Sequence, residues 1–86
     1  MTDIAVDSYK ELLNLLNRLS AARIHHTMRH SRSDAITIEA YVPGERWEIE
    51  FVDYGDKMQV EVEVYRGSGV TGDENSLENL FRIHSA

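Results

Sequence analysis

The sequence predicts an α+β domain: an antiparallel β-meander of about four strands, with an N-terminal helix and a short C-terminal helix packed on one face of the sheet. Three observations carry this expectation. Apolar residues recur at helical spacing over about residues 8–22. Residues 35–42, 46–51 and 58–65 alternate between apolar and polar side chains, as strands with one buried face do. Pro43-Gly44 and Tyr54-Gly55-Asp56-Lys57 turn the chain between these stretches, which makes them strands of a meander.

The first helix begins at a capping-box spacing, Ser8-Tyr9-Lys10-Glu11, in which the serine hydroxyl accepts a backbone N–H and the glutamate reaches back. Tyr9, Leu12, Leu13, Leu16 and Leu19 then form its inward stripe, with Asn14, Asn17 and Arg18 outside. From Arg23 to Ser31 two readings stand. Ile24, His26 and Met28 alternate with His25, Thr27 and Arg29 as in a strand; alternatively the helix runs on for a turn. Ser31-Arg32-Ser33-Asp34 is a turn.

In the next strand Ile36, Ile38, Ala40 and Val42 face the core, and Ala35, Thr37, Glu39 and Tyr41 face away. Pro43-Gly44 offers the fixed φ and then the positive φ of a type II turn. Trp47, Ile49 and Phe51 alternate with Arg46, Glu48 and Glu50, and after a turn at Tyr54–Lys57, Met58, Val60, Val62 and Val64 alternate with Gln59, Glu61, Glu63 and Tyr65. Gly67, Gly69 and Gly72 punctuate a short extended piece around Val70. A last helix starts at Asp73 or Asn75 and turns Leu77, Leu80, Phe81 and His84 inward. The chain has 86 residues, enough for one core, so 1–86 reads as a single domain.

Composition narrows the function classes. A net charge of −6 opposes nucleic-acid binding. It divides as +2 over residues 1–32, −7 over 33–65 and −1 over 66–86, so the acidity sits in the middle of the chain. There is no apolar run of membrane-spanning length, no secretion-signal pattern at Met1–Ile4, and no cysteine for disulfides or thiolate metal sites. The expectation is a cytoplasmic protein with neither membrane nor nucleic acid as partner.

Both helices are needed to cover the apolar face of the sheet, which leaves the other face open. Four-residue loops at Pro43–Arg46 and Tyr54–Lys57 would align two rows across it, Glu39–Glu50–Glu61 and Tyr41–Glu48–Glu63. Tyr65 and Arg46 then lie at one end, and His25 extends the first row. Like charges directly opposed on a sheet are destabilising. A face that needed only solubility would mix signs, whereas tyrosines beside glutamates suit a contact surface for a basic partner. The plainer alternative is a solvated acidic face.

Other motifs lead nowhere chemical. Gly67-Ser68-Gly69-Val70-Thr71-Gly72 has the G-x-G-x-x-G spacing, but the 14 residues that follow cannot build a second parallel strand, and Asp73 and Glu74 stand where a pyrophosphate would sit. His25 and His26 would point to opposite faces of a strand, and His26 and His30 would lie about 13 Å apart. A ribonuclease using His25 beside Glu39 lacks a cation for the transition state, Arg29 being the nearest. No catalytic, cofactor-binding or metal-ligating residue is therefore assigned.

Val42-Pro43-Gly44-Glu45-Arg46-Trp47-Glu48-Ile49-Glu50-Phe51, the Val60-Glu61-Val62-Glu63 strand, the glycine-bearing bend and the terminal helix with Leu77, Leu80 and Phe81 resemble a group of small bacterial proteins. The group shares a V-P-G-E-R-W-E-I-E-F hairpin and is mostly uncharacterised; some members act as immunity proteins of contact-dependent growth-inhibition toxins. The resemblance spans about residues 8–82. It implies a non-enzymatic inhibitor that binds a toxin domain, often a basic nuclease, inside the producing cell, and it transfers no catalytic residue. The partner-binding residues expected from the open face are Glu39, Tyr41, Glu48, Glu50, Glu61, Glu63 and Tyr65. The competing expectation is a non-catalytic homodimer paired through its edge strands.

Overall fold

The computed structural model of the chain describes residues 3–67, 69–70 and 77–84. The elements run α1 (Asp3–Ala21), β1 (His25–Arg32), β2 (Ala35–Val42), β3 (Glu45–Asp53), β4 (Met58–Arg66), β5 (Gly69–Val70) and α2 (Leu77–His84). The strands form one antiparallel sheet in the order β1-β2-β3-β4-β5, a meander with a two-residue fifth strand at the margin. The α+β class and both helices follow the sequence expectation. Among the described residues no helix is long and apolar enough to cross a membrane.

Helix α1 begins at Asp3, not at Ser8, so Ser8 lies within the helix and does not cap it. Its buried stripe also differs. Leu15 and Leu19 are buried and Leu12 and Leu16 pack against the core, whereas Tyr9 and Leu13 are exposed, at 64% and 38%. At 100° per residue the Leu12–Leu15–Leu19 line is the centre of the stripe, and Leu13 falls on its flank.

The end of α1 decides between the two readings of residues 23–31. Arg23 takes φ 59°. The Arg23 N–H donates to the Ser20 carbonyl at 3.1 Å and the Ile24 N–H to the Leu19 carbonyl at 2.9 Å. These are the two hydrogen bonds of a Schellman motif, and Ile24 and Leu19 supply its apolar contact in the core. The helix stops there and β1 starts at His25.

A core of Ile38, Ala40, Trp47, Ile49, Phe51, Val62 and Val64 from the sheet meets Leu15 and Leu19 of α1 and Leu80 and Phe81 of α2, so both helices cover the same face. Leu77 packs against this core as expected. The expected helix starts at Asp73 or Asn75, the Gly72 bend and the inward turn of the His84 side chain lie outside the described residues. Trp47 is 1% exposed, and its indole N–H donates to Glu45 at 2.9 Å, so its one polar atom is satisfied at the core margin. Arg18 ties the helices together: it donates to both Glu78 carboxylate oxygens, at 2.8 and 3.0 Å, and its guanidinium lies 3.9 Å from the centre of the Phe81 ring.

Candidate protein-binding face

The position of every side chain on the uncovered face depends on strand register. β3 and β4 pair as expected, Asp53 with Met58, which sets Glu50 opposite Glu61 and Glu48 opposite Glu63. The β2–β3 pairing does not follow the expected four-residue loop. Val42 pairs with Glu45, leaving Pro43 and Gly44 as the only loop residues. Gly44 has φ 77°, the value a type II turn needs at its second central position. The shift is two residues, so each side chain keeps its face but changes its neighbour.

The rows observed are therefore Arg29–Thr37–Glu50–Glu61, Thr27–Glu39–Glu48–Glu63 and His25–Tyr41–Arg46–Tyr65. His25 extends the row of Tyr41, not that of Glu39, and the two rings stand 5.4 Å apart. Glu39 and Glu48 face each other where Glu39 and Glu50 were expected to. All seven expected partner-binding residues share the face. Arg46 and Tyr65 lie at one end of it, as expected, with the guanidinium 4.3 Å from the ring centre.

The face is not a bare carpet of carboxylates. Arg46 Nη1 donates to Glu39 at 3.0 Å and also to Glu48. Arg29 forms an ion pair with Glu39 at 3.6 Å. Glu50 accepts from Ser31 at 3.3 Å, Arg32 at 3.3 Å and Thr37 at 3.4 Å. A bulge between His30 and Arg32 sets Arg32 opposite Ala35 and turns Ser31 and Arg32 toward Glu50. The Tyr54 hydroxyl donates to Glu61 at 2.9 Å, and Tyr41 to Glu39 at 3.3 Å. Arginines thus occupy the β1–β3 side, and the Glu39, Glu48 and Glu50 side chains are about four-fifths covered. Glu63 stays exposed on β4 and Glu61 half-exposed.

Sequence reasoning missed the neutralising role of Arg29 and Arg32, and also Tyr54. Arg29 and Arg32 belong to a segment whose state was open, and Arg32 reaches the face only through a bulge that no spacing announces. Burial, with the nearby Glu48 and Glu63 carboxylates, pushes the Tyr65 hydroxyl above its ordinary pKa, and the hydrogen bond to Glu61 does the same for Tyr54. Both rings are uncharged donors near neutrality.

Among the described residues no three histidine, aspartate or glutamate side chains are grouped to hold a metal ion. His25 and His26 lie on opposite sides of β1, and His26 Nδ1 is 2.8 Å from the Ile24 carbonyl. The result is a polar, aromatic-edged platform whose carboxylates are held by arginines and hydroxyls. Comparison of the chain with protein-family models, with curated proteins and with solved structures returns no match.

Proposed function

We propose that the domain is a non-catalytic binding protein of the immunity type: it holds a basic protein domain, such as a nuclease toxin, against the open face of its sheet in the cytoplasm and so covers the surface that the toxin needs for its substrate. One observation carries the reading. The face that both helices leave uncovered keeps glutamates directly opposed, Glu39 to Glu48 to Glu63 and Glu50 to Glu61, beside Tyr41, Tyr65 and Arg46. Arg46 offsets the repulsion between Glu39 and Glu48, but Glu63 faces Glu48 and Glu61 faces Glu50 on the β4 side, where opposed carboxylates cost stability and suit a basic partner. Tyrosine and arginine are the side chains enriched at the centres of interfaces, since they bring large, stiff contact area with polar tips.

In this reading the acids of the face have different tasks. Glu39, Glu48 and Glu50 are held by arginines and hydroxyls and form a rigid floor. Glu61 and Glu63 on β4 carry the charge that a basic surface would meet first and would steer its approach. Reversing Glu61 and Glu63 tests the interface; because it also removes the Tyr54–Glu61 hydrogen bond, the variant is first shown to keep the wild-type circular-dichroism spectrum. Wild type and the Glu61→Lys/Glu63→Lys variant are immobilised and exposed to lysate of the source organism at low salt. The reading expects one basic protein held by wild type, released by a salt step, and lost on the variant. Retention of nothing basic, or equal retention by both, overturns it.

A further inference from the structure

We draw no further inference here: the strongest candidate, the cation-binding cage that Tyr65, Glu39 and Glu48 form on the open face of the sheet, is filled by the chain's own Arg46 and belongs to the site already described.

Discussion

The guanidinium of Arg46 lies 4.3 Å from the centre of the Tyr65 ring and from that position reaches both Glu39 and Glu48. Arg46 is thus the cation that makes a row of three opposed glutamates tolerable. Arg46→Ala should lower the urea midpoint of unfolding at low salt, by removing a cation–π contact and two charge-assisted hydrogen bonds. Part of that loss should return at high salt, because the newly unopposed repulsion of Glu39, Glu48 and Glu63 is screened. The Glu48→Gln variant should lose less, since it removes one partner and one repelling charge together. Chemical denaturation of the variants at two ionic strengths checks both orders.

Tyr65 and Tyr54 make the domain sensitive to alkali in a way that can be signed. Both hydroxyls are held above the ordinary tyrosine pKa, Tyr65 first by burial and Tyr54 first by its hydrogen bond to Glu61. The folded state therefore holds these protons more tightly than the unfolded chain does. Their stabilisation is complete below the unfolded tyrosine pKa of about 10 and is lost as pH rises through the folded values. A Tyr54→Phe/Tyr65→Phe variant should show a flatter fall of thermal midpoint across that window than wild type. Equal slopes would mean that neither hydroxyl is perturbed.

The sheet was legible in the sequence because strict alternation fixes which face each residue takes, and it is carried by Ile36–Val42, Trp47–Phe51 and Met58–Val64. Alternation has a period of two, so it cannot distinguish registers that differ by two residues, and that is the error made at β2–β3. The missing information lay in Pro43-Gly44: a type II turn brings Val42 beside Glu45, which is incompatible with a four-residue loop. β1 was hard to read for a different reason. It is an outer strand, exposed or half-exposed throughout, so burial imposes little pattern on His25–Arg32. The arginine network across the face, which depends on this strand, was unreadable for the same cause.

Closure of one core by both helices predicts similar penalties at its two ends. Leu19 of α1 and Leu80 of α2 are both fully buried. Leu19→Ala and Leu80→Ala should each destabilise by about 2–5 kcal/mol, as truncation of a buried leucine leaves a cavity. Leu13→Ala, on the exposed flank, should change stability by about 0.5 kcal/mol or less in the monomer. Urea unfolding at low protein concentration separates these cases. A small effect for Leu80→Ala would mean that α2 is not part of the cooperative core.

Two residues with left-handed backbone predict opposite effects from opposite substitutions. Arg23 ends α1 at φ 59°, where a β-carbon crowds the following carbonyl, and Gly44 turns the β2–β3 hairpin at φ 77°. Arg23→Gly should stabilise, because glycine takes the αL position of a Schellman motif without that strain; the gain is about 1 kcal/mol, reduced by the greater freedom of glycine in the unfolded chain. Gly44→Ala should destabilise by about 1 kcal/mol or more. No atom beyond the adjacent residues lies within 4 Å of the added β-carbon, so the cost is local backbone strain rather than a clash with the rest of the fold. D-alanine at position 44, introduced by chemical ligation, should therefore reverse the sign and stabilise the hairpin, since it favours positive φ and restricts the unfolded chain. If L- and D-alanine there gave equal midpoints, the turn would not hold its type II geometry in solution, and the β2–β3 register that sets Glu39 opposite Glu48 would lose its main constraint.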